Sequence, residues 1–157
     1  MGVIGSRFAS DDDIGLGGTM SLLNGRAKEA IEAGHLAHMI TLNPDGSPQV
    51  TVVWVGLDGG EIVCAHLMES RKVRNIRNDP RVAISIVTGG RNEMGLDEYL
   101  TISGSARITE GGAPELLQQL ALRYLGPGVK FPPMDNPPAG FVNHVSVERV
   151  GGVGPWA

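Results

Sequence analysis

Ten residues, Pro-Gln-Val-Thr-Val-Val-Trp-Val-Gly-Leu (48–57), lie between two turn signals, Asn43-Pro44-Asp45-Gly46 and Asp58-Gly59-Gly60. Val, Thr and Trp dominate the run, residues that pack well on a pleated surface and lose side-chain freedom in a helix. Each flanking signal reverses the chain in a hairpin, so 35–42, 48–57 and 61–67 form an antiparallel meander. The central run presents Val, Thr and Trp on both of its faces. One small barrel cannot satisfy a strand of that kind, which predicts a homodimer with a second copy against it.

The rest of the chain follows the same pattern. With 23 Gly, 10 Pro and only 4% aromatic residues, it suits short strands and tight turns better than a helical bundle. Further strands are expected at 81–88, at 98–109 with a bulge or bend at Gly104, and at 141–150. A helix over 24–33 is closed by Gly34; another over 112–125 carries Leu116, Leu117, Leu120 and Leu125 on its buried side, with Pro114 in its first turn. The Pro-rich segment 126–139 is a loop. Six antiparallel strands with helices at the margins predict a mainly β (α+β) fold, most economically a small barrel. The domain spans 21–150, between a Gly- and Asp-rich mobile arm (1–20) and a Gly-rich tail (151–157).

Directly after the meander stands the segment Ser70-Arg71-Lys72-Val73-Arg74-Asn75-Ile76-Arg77-Asn78-Asp79-Pro80. Ser70 caps it, Val73 and Ile76 give it an apolar face, and Pro80 ends it. Four of the 13 Lys and Arg residues fall inside this short helix, although the formal net charge is −4. Arg71 and Lys72 occupy its first turn, where unpaired N–H groups and the helix dipole already attract anions. Cations at that end are reasonable if a phosphate or carboxylate uses both. A solvated basic face is the alternative, and Arg74 and Arg77 read as surface residues.

Composition excludes several classes. Net acidity with one local basic cluster argues against duplex nucleic acid. No apolar run approaches the roughly 20 residues that span a bilayer, and the N-terminal residues lack the build of a signal peptide. A single cysteine, Cys64, reads as core and makes a cytoplasmic setting the default. His35, His38 and His144 have no metal-site spacing, and no Ser-His-Asp or paired-carboxylate arrangement is apparent. That pattern fits an enzyme whose cofactor carries the chemistry.

The stretch Asp45-Gly46-Ser47-Pro48-Gln49-Val50-Thr51, with Ser70-Arg71-Lys72-x-x-Asn75-x-x-x-Asp79-Pro80-Arg81, resembles the flavin- and deazaflavin-binding split β-barrel family, the pyridoxamine-phosphate-oxidase-like superfamily, over roughly 24–150. Within it the chain looks most like the actinobacterial branch that uses coenzyme F420, as does its Gly-Val-Gly-Pro-Trp ending. The resemblance implies a six-stranded split barrel of the FMN-binding type and a cofactor ring across the second and third strands near a dimer interface. It also implies a phosphate at the N-terminus of the helix that follows. Carried over, Ser70, Arg71 and Lys72 hold the phosphate or tail, Gln49, Val50, Thr51, Val52 and Val53 line the ring, and Ala65 or His66 flanks it. Position 52 is Val where relatives often carry a polar residue, and position 70 is Ser where some use Arg.

The implied activity is a coenzyme F420-dependent oxidoreductase passing a hydride to a small unsaturated organic acceptor. The alternatives are an FMN-dependent relative and a non-catalytic flavin, deazaflavin or haem binder. Arg74 and Arg77 are candidate contacts for a polyglutamate tail. His66, at a strand end, is a candidate proton donor, with a structural or solvated role as the alternative. Trp54 reads as dimer-interface or barrel packing, with stacking near the ring as the alternative. Trp156 ends a glycine-rich segment too flexible to hold itself, so it is expected to dock near the cofactor or against the partner subunit.

Overall fold

A computed structural model describes residues 22–157; the expected N-terminal arm lies outside the described residues. Seven strands form one antiparallel sheet: β1 (Ala37–Leu42), β2 (Pro48–Val53), β3 (Gly56–Asp58), β4 (Glu61–His66), β5 (Arg81–Arg91), β6 (Asp97–Glu110) and β7 (Phe141–Val153). Among the described residues three helices flank it, α1 (Gly25–Glu32), α2 (Arg71–Asn78) and α3 (Ala113–Tyr124). Among the described residues no helix is long and apolar enough to cross a membrane.

Strand order is β2-β1-β5-β6-β7-β4-β3, so β2 and β3 occupy opposite edges of the sheet. Only Trp54 and Val55 separate them in the chain. Three Cα steps span at most about 11 Å. The two edges are therefore brought together at this point, and the sheet is rolled into a barrel by the run that was expected to be one strand. This break makes seven strands where six were counted from the sequence; the mainly β, split-barrel architecture is as expected. The break is set by a partner distant in the chain: Val55 is buried and its N–H bonds to Tyr124 Oη at 3.0 Å, outside any ladder.

The barrel interior is filled by alternate residues of neighbouring strands, including Met39 of β1, Ile84 and Ile86 of β5, Leu100 and Ile102 of β6, and Val145 of β7. Gly104 marks a register shift between β6 and β7, where a Cβ would stand 2.0 Å from the Ser146 carbonyl oxygen. Glycine is required there by the close approach of two backbones. In α3, Leu120 is buried as expected, whereas Leu125 lies just past the helix end and is exposed.

β7 continues to Val153, with Gly152 opposite Leu100 and Val153 opposite Tyr99. Beyond it Trp156 folds back into the core, and its indole N–H donates to the Tyr99 carbonyl at 2.9 Å. Asn24 serves two structures at once. Its side-chain oxygen caps α1 by accepting from the Ala27 N–H at 2.8 Å, and its amide nitrogen donates to the carbonyls of Pro155 and Ala157.

Candidate functional site

Helix α2 is positioned by its own sequence. The Ser70 hydroxyl accepts from the Val73 N–H, and Lys72, Val73, Asn75 and Ile76 face inward. Asn75, 2% exposed, fixes the helix to the first hairpin: its amide nitrogen lies 3.0 Å from Thr41 Oγ1, 3.0 Å from Asn43 Oδ1 and 3.4 Å from Gln49 Oε1. Thr41 Oγ1 in turn donates to Gln49 Oε1 at 3.1 Å. An amide nitrogen has two protons, so the two short bonds are the principal ones. Replacing Asn75 with Ala strips buried acceptors of their donor and is expected to cost about 1–3 kcal/mol in urea unfolding. An unchanged unfolding midpoint would contradict this role.

With α2 so placed, its first turn abuts a cavity of about 240 Å³. It is lined by the end of β2 (Val52, Val53), by Ala65 and His66 of β4, by Leu117 of α3, and by an aromatic wall of Trp54 and Phe131 of the Pro-rich loop. Trp54 stacks on Tyr124 with ring centroids 5.2 Å apart and touches Phe131 at 5.1 Å, so the aromatic wall is fixed by packing. Lys72 is the one cation lining this cavity.

Lys72 is 8% exposed, and no ion pair among the described residues includes it. Burial holds its pKa below the ordinary lysine value, with neighbouring Cys64 acting the other way. Cys64 does not supply the missing charge, because burial pushes its thiol up to about 11, so it stays protonated at neutral pH. A lysine held at such a cavity without a counter-charge calls for an anion. Burial, and then the Lys72 charge, push His66 down to about 4, which leaves its ring neutral at physiological pH.

The other cations of α2 are engaged differently. Arg77 pairs with Glu69 at 3.0 Å and with Glu110 at 3.6 Å, and lies over the Phe141 ring; Arg74 also approaches Glu69, at 3.8 Å. Arg71 is exposed beside Lys72; the Asp45 carboxyl is lowered chiefly by its hydrogen bonds from Ser47, with Arg71 a lesser contributor.

Of the residues expected at the site, Val52, Val53, Ala65, His66 and Lys72 meet at the cavity, with Ser70 capping the helix beside them. Gln49 is spent in the Asn75 network. Val50 is on the outward face of β2, and the buried Thr51 hydroxyl has no protein partner. Trp156 does not line the cavity and is held within its own chain. Two polar residues that reading of the sequence gave no role belong here. Asn75 stood in the quoted motif, whereas Asn143 of β7 carried no signal; it is fully buried, with its amide nitrogen 3.0 Å from His66 Nε2. Phe131 lay in a loop whose course no periodicity could trace.

An arrangement of one unpaired buried cation, a neutral imidazole and an aromatic wall can bind an anion attached to a flat ring system. Residues 23–151 match the sequence profile described as pyridoxamine 5'-phosphate oxidase. No curated protein matches the chain by sequence. Among solved structures, an F420 reductase is similar at 26% identity, with a TM-score of 0.64 and coverage of 79% of this chain and 94% of that one. A conserved hypothetical protein from Mycobacterium tuberculosis has a TM-score of 0.64 at 24% identity, covering 88% and 85%. A haem binding protein from Mycobacterium smegmatis has a TM-score of 0.58 at 25% identity, covering 83% of this chain and 54% of that one.

Proposed function

Because the chain belongs to the pyridoxamine 5'-phosphate oxidase family, we propose that it is an oxidoreductase working with a flavin or deazaflavin, and that the cofactor is coenzyme F420. The observation that carries the reading is the buried, unpaired Lys72 at the first turn of α2. Similarity to an F420 reductase favours the deazaflavin over FMN.

The residues fit such a group. Lys72 supplies charge for a phosphate, with Ser70 and Arg71 beside it, and Val52, Val53, Trp54 and Ala65 supply apolar contact for a ring. When bound in reduced form, the cofactor supplies a hydride. The protein's part is to hold the ring, exclude water along the Trp54 and Phe131 wall, and keep Lys72 charged against the bound anion. The Arg77 pairing with Glu69 and Glu110 leaves Arg71 better placed than Arg77 for an acidic tail.

A cavity of about 240 Å³ is smaller than the roughly 300–1,000 Å³ of ordinary ligand sites, so part of the cofactor must lie outside it. Val52, at the cavity's edge, is 54% exposed, and Val50 is 59% exposed on the same face of β2. Beside them Ile40, Ala83, Ser85 and Thr101 line an outer groove of about 350 Å³. We infer that a second copy covers this face and completes the site. Sedimentation at micromolar concentration is expected to give about 33 kDa, twice the 16.5 kDa chain. A monomer would remove the second wall.

The functional reading is tested by titrating the purified protein with coenzyme F420 and with FMN side by side. Saturable binding of F420, with FMN at least about tenfold weaker, is the expected outcome. FMN retained through purification would transfer the reading to the flavin.

A further inference from the structure

Asn143 pairs with Cys64 across β7 and β4, and His66 lies two residues along β4 on the same side as Cys64. The amide nitrogen of Asn143 faces three groups: His66 Nε2 at 3.0 Å, Cys64 Sγ at 3.4 Å and Met39 Sδ at 4.0 Å. The amide turns its NH₂ toward this cluster, where the Met39 thioether can only accept, and leaves its Oδ1 buried without a partner on the other side. Both protons are then directed at acceptors, and His66 Nε2 receives one. A neutral imidazole whose Nε2 accepts carries its proton on Nδ1. The ring lines the cavity beside Lys72, and Nδ1 has no protein partner among the described residues.

We propose that Asn143 is a positioning residue that locks His66 as the Nδ1–H tautomer, so that the cavity offers a neutral N–H donor to a carbonyl of the bound cofactor's ring. The donor's target rests on the function proposed above; the tautomer does not. Flavins and deazaflavins share a pyrimidine edge with two carbonyls, so the assignment holds for either. The charged groups that bear on His66 are Lys72 and, were it ionised, Cys64; the first opposes protonation of the ring, and the second stays a thiol. His66 is therefore a fixed hydrogen-bond donor at neutral pH rather than the proton donor considered from the sequence, because a ring with a pKa of about 4 is not in its acidic imidazolium form there.

Long-range proton–nitrogen correlation spectra of the ¹⁵N-labelled, ligand-free protein at pH 7 test the first part, with His66→Gln identifying the His66 signals among the four histidines. A protonated Nδ1 and an unprotonated Nε2 are expected, and loss of that preference in Asn143→Leu. A protonated Nε2 in the wild type overturns the proposal. For the second part, His66→Leu is expected to weaken binding of coenzyme F420 or FMN about two- to tenfold, as for one net hydrogen bond, and His66→Gln, which keeps an N–H, to recover most of it. Equal affinities of wild type and His66→Leu overturn the donor role. If the wild type binds neither cofactor, the functional reading and the donor's target fall together, while the tautomer stands or falls by its spectrum.

Discussion

Replacing Trp156 with Ala is expected to cost about 3–5 kcal/mol of stability, a large part of the roughly 5–15 kcal/mol that holds an ordinary domain. The indole is 7% exposed and packs into the core cluster with Leu23, Ala27 and Leu100. Its N–H is the partner of the Tyr99 carbonyl at 2.9 Å. The substitution leaves a void in the core and deprives that carbonyl of its donor. Removing residues 153–157 is expected to do more, since it also deletes the Val153 rung opposite Tyr99 and the two carbonyls that Asn24 holds. Urea unfolding of both variants checks this. A loss below about 1 kcal/mol would show that the segment does not stabilise the barrel.

Lys72→Ala is expected to act in opposite directions on binding and folding. Cofactor affinity should fall by about 1.5–3 kcal/mol, the range for one hydrogen bond to a charged group, or about 10- to 150-fold. Stability of the ligand-free protein should hold or rise, because the change removes a buried charge with no carboxylate beside it. The pH dependence follows from the same burial. The folded pKa of Lys72 lies below the ordinary value of 10.5, so between the two the unfolded chain binds more protons than the folded one. The penalty is fully present below the folded pKa, and ligand-free stability gains as pH rises through that window. An anion placed against Lys72 reverses the shift, so binding in the same window takes up a proton. Calorimetric titration in two buffers of different ionisation enthalpy measures it. Reduced stability in Lys72→Ala with unchanged affinity would make Lys72 a structural residue.

Local signals accounted for most of the fold. The Asn43–Gly46 and Asp58–Gly60 turns, the Ser70 cap and the β-branched runs lie where their chemistry places them, because each depends on a few neighbouring residues. The break at Trp54 and Val55 was not legible. It is set by α3, whose Tyr124 hydroxyl accepts from Val55 N–H and donates to the His35 carbonyl, partners distant in the chain. In the same way Lys72 could be read as a helix-start cation, but not as a buried one, since its burial depends on elements such as β4 that are distant in the chain. Alternation within β2 also divides a continuous set of candidates: Gln49 turns inward to Asn75, while Val50 faces outward. Asn143 was invisible because a lone Asn in a strand gains meaning only from the Cys64, His66 and Met39 side chains around it.

The central claim is that Lys72 is the anion site of a cofactor whose ring lies in the adjoining cavity. A crystal structure of the wild-type protein with coenzyme F420 tests it most directly, through the distance from Lys72 Nζ to the nearest phosphate oxygen. The expected value is about 2.7–2.9 Å, a charge-assisted hydrogen bond, with the ring against Trp54 and Ala65. A phosphate bound elsewhere, with Lys72 still unpaired, would contradict the account.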